Sequence, residues 1–163
     1  MSMLTALAEA AAESEDSSSQ QKTEVHFLYS MRDPGPPRDA RGMLFLERIA
    51  GIFSRGTFLG GGGLRLFLTP GEPGGGGGGG AEEGGREKPP EQGLVSCSNG
   101  LEIPFQRRRI ALDDIAAVLG QDRDSAVVYI CGVPSMTDYF VERLTAAIGL
   151  GMDSRRVLYE KWW

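Results

Sequence analysis

The stretch AVVYICGVPSMTDYF, residues 126–140, carries the clearest fold signal in the chain. Its first five residues are an apolar, β-branched run that is typical of a buried strand. A Gly-x-Pro turn at 132–134 ends this strand, and a helix is predicted from Ser135 or Thr137 to about Ile148. The predicted apolar stripe of that helix comprises Phe140, Leu144 and Ile148.

Helices and strands alternate on both sides of this stretch. Helices are predicted at 1–13, from Asp39 as N-cap to about Phe53, and at 112–119; strands are predicted at 25–30, 64–69 and 157–163. Strands that alternate with helices form parallel sheets covered by helices. The predicted fold class is therefore α/β, a doubly wound parallel sheet. Because such units begin with a strand and this chain opens inside a helix, its first strand is expected to be missing.

Glycine is unevenly distributed along the chain. Of the 24 glycines among 163 residues, 16 lie between Gly60 and Gly100, including seven in succession at 74–80. Such a segment buries too little apolar surface to offset the entropy of ordering it. Phosphate-binding loops instead have spaced glycines held tightly between a strand and a helix. We therefore expect one partial domain over 1–163, with a low-complexity insertion at 70–100.

The overall charge limits the classes of partner. Lys and Arg number 17 against 22 Asp and Glu, a net charge of -5, which disfavours nucleic acid as the main partner. No apolar run is long enough to cross a membrane. The two cysteines, Cys97 and Cys131, do not suggest a disulfide framework. The single histidine, His26, is expected to be structural, and no metal site is predicted.

A ligand is expected at the carboxyl end of the strand predicted at 126–130. Ligands of doubly wound sheets bind outside the carboxyl ends of the strands. There Gly132 lets the backbone approach a flat ligand, Pro134 stiffens the turn, and the following helix N-terminus favours negative charge. Cys131 adds a polarisable thiol, although an ordinary buried cysteine remains the alternative.

The same residues carry a family resemblance. Cys131, Gly132, Pro134 and Met136 form a C-G-x-P-x-M pattern that resembles the late motif of the ferredoxin–NADP reductase superfamily. YICGVPSMTDYF and the terminal YEKWW are more similar still to the oxidoreductase NAD-binding domain-containing proteins, a mitochondrial branch of that superfamily. HFLYSMRD at 26–33 resembles the second strand of that branch, and MSMLTALAEAA its first helix. The resemblance covers 1–60 and 103–163.

The resemblance implies roles for individual residues. Cys131 is the implied catalytic residue, close to the reactive carbon of a nicotinamide. The implied cofactor-binding residues fall into three groups: Gly132, Val133, Pro134 and Met136 around the nicotinamide and pyrophosphate; Ser30, Arg32 and Asp33 facing the adenosine ribose; and Trp162 or Trp163 against a flavin ring. The tryptophans have an alternative role in closing a core.

The preferred nucleotide is only weakly indicated. Arg32 favours a 2′-phosphate and Asp33 a free 2′-hydroxyl, and NAD(H) is slightly preferred over NADP(H). FAD is implied for an intact form. Arg107–Arg109 are expected to form a solvated edge, with anion binding as the alternative.

The function implied is the NAD(P)H-binding part of a flavin-dependent oxidoreductase, with an unidentified electron acceptor. Members of the superfamily also have a flavin-binding barrel and a GGxGxxP loop, and neither is found in this sequence. The alternative is therefore a non-catalytic remnant or binding module. Mitochondrial localisation is implied by the resemblance and a cytoplasmic one is the alternative, since 1–16 contains four acidic residues and no Arg.

Overall fold

The computed structural model describes residues 24–55, 62–70 and 92–162. The chain divides into two compact units, one up to Arg109 and one from Ile110 onward. The predicted helix at 1–13, most of the Gly-rich insertion and Trp163 lie outside the described residues.

The first unit contains a four-stranded sheet. Its strands are β1 (Val25–Arg32), β2 (Gly62–Thr69), β3 (Gln92–Ser96) and β4 (Glu102–Gln106). They lie in the order β1-β2-β4-β3, where β1, β2 and β4 are parallel and β3 is antiparallel to β4. The two strands predicted in this part of the chain, 25–30 and 64–69, are confirmed.

One helix, α1 (Leu46–Ser54), contributes to the core of this unit. Leu46, Ile49 and Ala50 are buried, as the helical spacing predicts. They lie in clusters with alternate residues of the strands, among them Tyr29, Leu64, Leu66 and Phe105. This alternation places odd-numbered residues of β1 on the α1 side and even-numbered residues on the opposite face.

The predicted start of this helix at Asp39 was wrong. Asp39 instead caps a 3₁₀ turn at Ala40–Gly42, where its carboxylate accepts from the backbone N–H of Arg41. The α-helix begins only after Phe45, whose φ of 59° lies in the left-handed region. A local side-chain cap therefore formed a short turn and did not start the longer helix.

Strands β3 and β4 were missed by the sequence analysis. They form a hairpin whose turn includes the hydrogen bond from Gly100 N to Cys97 O. Inside β3, Val95 is fully buried between exposed neighbours. The low-complexity composition of the segment before it concealed this short period-two pattern.

The second unit consists of α2 (Leu112–Leu119), β5 (Val128–Gly132), α3 (Pro134–Thr145) and β6 (Val157–Lys161). Strands β5 and β6 form a parallel two-stranded sheet. Its buried core comprises Leu119, Ile130, Phe140, Leu144, Met152 and Val157. This unit is a β-α-β arrangement preceded by a helix. The described part of the chain is thus α/β with predominantly parallel strands.

The end of α3 differs from the prediction. The helix ends at Thr145, and Ile148, predicted to lie on its apolar stripe, is 90% exposed. Beyond it Gly151 has a φ of +63° and donates to the carbonyl of Ala146, while Met152 donates to Leu144. This C-terminal turn directs Met152 into the core in place of Ile148.

Among the described residues, no helix combines the length and apolar character needed to cross a membrane.

Candidate functional site

The end of β5 presents Cys131 at the surface. Cys131 is a free, exposed thiol in β5, which extends to Gly132, two residues beyond the predicted end of the strand. Val133 alone separates Gly132 from Pro134, the first residue of α3. The N-cap residue Val133 makes no side-chain hydrogen bond to this helix, and proline at its first position needs no N–H partner. The structure thus has a strand, a tight turn and a helix N-terminus in direct succession.

Gly132 and Met136 are in very close approach. A Cβ at position 132 would lie 2.3 Å from the terminal methyl carbon of Met136. That methyl is the flexible end of a side chain, so a larger residue here would displace Met136 before it moved the backbone. The glycine therefore lets Met136 pack directly against the strand end.

Thr137 anchors this turn from inside. Its side chain is fully buried, and its hydroxyl contacts the carbonyl oxygens of Val133 at 3.1 Å and Gly132 at 3.4 Å. Its backbone N–H also donates to Val133 O. The sequence analysis named Thr137 only as a possible start of this helix, which begins at Pro134, and missed its contacts with the turn; a threonine in the first turn of a helix after Gly-x-Pro is the signal that could have found them.

Trp162 is brought beside the same turn. Its backbone N–H donates to the carbonyl of Gly132 at 2.9 Å, one residue beyond β6, and its side chain is about half exposed. Lys161 Nζ lies 2.7 Å from Asp138 Oδ1 in α3, a contact that raises the pKa of the lysine. The chain therefore holds the end of β6 against the beginning of α3.

The surroundings of Cys131 keep its thiol protonated. Cys131 and Glu160 are register partners in β5 and β6, and Tyr129 donates to Glu160 Oε2 at 2.5 Å. Partial desolvation of the thiol, followed by the negative charge of Glu160, raises the pKa of Cys131. The hydrogen bond to Glu160 raises the pKa of Tyr129 to about 12. A neutral thiol suits a positioning contact with an apolar ring better than nucleophilic attack.

In the first unit, the predicted ribose-facing residues lie at the end of β1. Ser30 and Arg32 lie on the face opposite α1, with Phe67 and Thr69 as their register partners in β2. Arg32 is exposed and Ser30 is half-buried. Asp33 follows on the other side of the sheet, in line with Tyr29 and Met31.

The carboxylate of Asp33 is fully engaged by its own protein. Arg38 donates two hydrogen bonds to it, at 2.9 and 2.7 Å, and Arg107 and the backbone of Gly35 donate one each at 3.0 Å. The side chain is only 4% exposed. The hydrogen bond from Arg38 is the main reason that the pKa of Asp33 falls to about 2. Asp33 therefore ties the end of β1 to the segment after β4.

Arg108, next along the chain, lies on the opposite face from this network. Its guanidinium stacks 5.0 Å from the ring centroid of Phe67 and donates to the carbonyl of Arg109. The side chains of the consecutive residues Arg107 and Arg108 thus lie on opposite faces of the sheet, just beyond the end of β4.

The predicted residues therefore form two groups, one in each unit. Cys131, Gly132, Val133, Pro134, Met136 and Trp162 are brought together around one turn in the second unit. Ser30, Arg32 and Asp33 lie at the end of β1 in the first. Trp163 falls outside the described residues.

Comparison with known proteins finds no family model, no curated protein and no solved structure that matches this chain.

Proposed function

We propose that this chain is the NAD(P)H-binding part of a flavin-dependent oxidoreductase and that its α/β fold is a doubly wound dinucleotide-binding module. The observation that carries the proposal is the turn after β5, where an exposed Cys131 and the backbone of Trp162 meet at Gly132. The C-G-x-P-x-M resemblance to the ferredoxin–NADP reductase superfamily supports the same function.

The residues at this turn fit a nicotinamide ring. Gly132 has no side chain, and the methyl of Met136 lies where its Cβ would be, so a ring would approach the backbone closely once this flexible side chain moved aside. Beside it, the neutral thiol of Cys131 would contact the ring without placing a charge against it. The bound cofactors supply the hydride chemistry, with transfer from nicotinamide to flavin, and the protein supplies orientation.

The beginning of α3 fits a pyrophosphate. The first N–H groups of a helix have no partner within the helix, and its dipole favours negative charge. The N-cap residue Val133 makes no side-chain hydrogen bond to these groups. Ser135 and Met136 therefore present backbone N–H donors next to the nicotinamide position.

The exposed indole of Trp162 suits stacking against a flavin. An aromatic ring offers a large flat surface at little entropic cost, and offset stacking adds to the burial energy. The hydrogen bond from its backbone N–H to the carbonyl of Gly132 holds residue 162 beside the turn that follows Cys131. Flavin and nicotinamide would then meet at a single turn.

A non-catalytic binding module is the second candidate, and the strand edges favour it. Within the described residues, β1 is paired only with β2, and β5 only with β6. Edge strands in natural proteins are usually protected by charges or proline. Yet β1 has one charged residue, Arg32 at its end, and β5 has none. Such edges suit pairing with another strand.

Titration of the purified chain with NADH and with NADPH tests the proposal. We expect saturable quenching of tryptophan fluorescence, because Trp162 lies at the proposed site. With flavin added, single-turnover flavin reduction should be about tenfold to a hundredfold slower in Cys131→Ala, since misplaced reactants lose rate steeply. Cys97→Ala, which changes the other thiol, is the control and should leave the rate unchanged. No saturable binding of either dinucleotide would contradict the proposal and favour the binding module.

A further inference from the structure

A groove lies across β2, β3 and β4 of the first unit. It has a volume of about 550 Å³, which is typical of a small-molecule site. Pairing of β2 with β4 is limited to Leu66 with Phe105 and Phe67 with Gln106. The residue before these pairs in β4 is Pro104, which has no backbone N–H to donate to a neighbouring strand. The ladder therefore stops at Pro104 and leaves a gap between the two strands.

Alternation along the strands puts five side chains of the groove on one face of the sheet. Phe105 is buried in the core with α1, so Pro104 and Gln106 on either side of it point to the opposite face. Their register partners in β3 point the same way. Arg65 precedes Leu66, the partner of Phe105 in β2, and therefore shares this face. The groove is accordingly lined by a row of Arg65, Pro104 and Leu94 and, beside it, by Gln106 and Gln92.

Arg65 is a half-buried cation at one end of this row. Among the residues that the structure describes, its guanidinium has no hydrogen-bond or ion-pair partner. This contrasts with Arg38 and Arg107, which share the carboxylate of Asp33. Partial burial removes water from the guanidinium of Arg65 without replacing the hydrogen bonds that are lost. An anion in the groove would replace them.

The other side chains of the groove suit a ligand with a polar head and an apolar chain. Gln92 and Gln106 each carry an amide N–H₂ group that can donate to an anion. Leu94 is 52% exposed, and with Pro104 it offers apolar surface away from Arg65. Two strand spacings of about 4.8 Å separate Arg65 from Leu94, a distance that a medium-chain carboxylate spans.

We propose that this groove binds a small-molecule carboxylate with an apolar chain, its carboxylate on Arg65 and its chain across Pro104 to Leu94. The planar fork of a guanidinium matches the two oxygens of a carboxylate. Glu102, the acidic residue of β4 on the same face, lies outside the groove. A groove of this volume encloses a small molecule, whereas a stable protein interface takes about 800 Å² from each partner. This site is independent of the proposed function.

Calorimetric titration of the full chain with octanoate, octanamide and acetate tests this site. We expect octanoate to bind at least about tenfold more tightly than octanamide, which has the same chain length and no charge. Octanoate should also bind at least about tenfold more tightly than acetate, because its longer chain buries more apolar surface. Equal affinities for octanoate and octanamide would overturn the proposal.

Substitutions in the groove assign the binding to its residues. Arg65→Gln should weaken octanoate binding by about tenfold to a hundredfold and leave octanamide binding unchanged. Arg65→Lys, which retains the charge and loses the fork, should give an intermediate affinity. Gln106→Glu should also weaken octanoate binding, because it adds a negative charge beside the ligand at nearly unchanged volume. If circular dichroism shows that Arg65→Gln has lost the fold, Gln106→Glu decides alone.

Arg55→Gln is the matched control. Arg55 follows α1, on the other side of the sheet, and its exposed guanidinium donates to the carbonyl of Gly51. The variant removes one positive charge from the same unit without touching the groove, so octanoate affinity should not change. A loss equal to that of Arg65→Gln would show that octanoate responds only to the charge of the unit, and would overturn the proposal.

Amide signals in NMR spectra of the labelled chain show where octanoate binds. Those of residues 64–66, 92–94 and 104–106 should shift, while those of α3 and β6 should not. Shifts confined to the second unit would refute the site.

Two further probes distinguish other occupants. Inorganic phosphate that binds as tightly as octanoate would overturn the assignment to a carboxylate. A short oligoglutamate peptide that binds more tightly than octanoate, and loses this affinity in Arg65→Gln, would replace the small molecule by an acidic protein segment.

Discussion

Asp33 stabilises the first unit only while its carboxylate is ionised. Its pKa is about 2 in the folded chain against an ordinary value of 3.8. This stabilisation is complete above the ordinary value and is lost as the pH falls through the folded one. We expect Asp33→Asn to lower the free energy of unfolding by about 3 kcal/mol at neutral pH, because it leaves Arg38 and Arg107 without their anion.

The difference between wild type and Asp33→Asn should then shrink by about 1–2 kcal/mol between pH 5 and pH 2. Chemical denaturation at several pH values measures it. Asp39→Asn, which removes the exposed pair with Arg41, is the control and should have a much smaller effect. If the difference in unfolding free energy between wild type and Asp33→Asn stayed constant down to pH 2, folding would not lower the pKa of Asp33.

The two thiols should differ in reactivity. Cys131 is exposed and Cys97 is buried, so a disulfide reagent should modify one thiol in the native chain and both after denaturation. Cys131→Ser should abolish the native reaction. Because the charge of Glu160 contributes to the raised pKa of Cys131, Glu160→Gln should speed modification at a given pH. Two thiols reacting at the same rate in the native chain would contradict the structure.

At the scale of an element, two glycines predict opposite effects of the same substitution. Gly51 lies inside α1, where a Cβ would meet only the end of Arg55 at 4.0 Å. Gly51→Ala should therefore raise stability by about 0.5–1 kcal/mol through helix propensity. Beyond α3, a Cβ on Gly149 would lie 1.9 Å from the backbone oxygen of Arg143, so Gly149→Ala should lower stability by about 1–3 kcal/mol.

Thermal unfolding of the two variants measures whether each substitution raises or lowers stability, and each variant serves as the control for the other. Destabilisation by Gly51→Ala would mean that α1 packs more tightly there than the structure has it. A neutral Gly149→Ala would mean that the turn after α3 relaxes without cost.

At the scale of the molecule, each unit has its own core, and a cavity in one should act locally. Leu144 is fully buried in the second unit, and Leu144→Ala should lower its stability by about 3–5 kcal/mol. Amide exchange should accelerate in α2, β5, α3 and β6, while β1 and β2 keep their protection. Leu66→Ala in the first core should give the reverse pattern. Uniform acceleration by both variants would show one cooperative unit.

Local patterns in the sequence determined the positions of several strands, one helix and one turn. The apolar runs around Tyr29, Leu66 and Ile130 predicted three strands, and the spacing in 112–119 predicted α2 with its bounds. Gly132 and Pro134 marked the turn before α3. These features depend on neighbouring residues and on period alone, which the sequence contains in full.

Only the tertiary structure decided what those elements contact. Strand register set Cys131 beside Glu160 and Arg32 beside Thr69, and long-range packing exposed Ile148 and directed Asp33 to Arg107, 74 residues away. It also paired β3 with β4 beside a Gly-rich segment. Register and pairing depend on residues far apart in the chain, whose contacts no local pattern records.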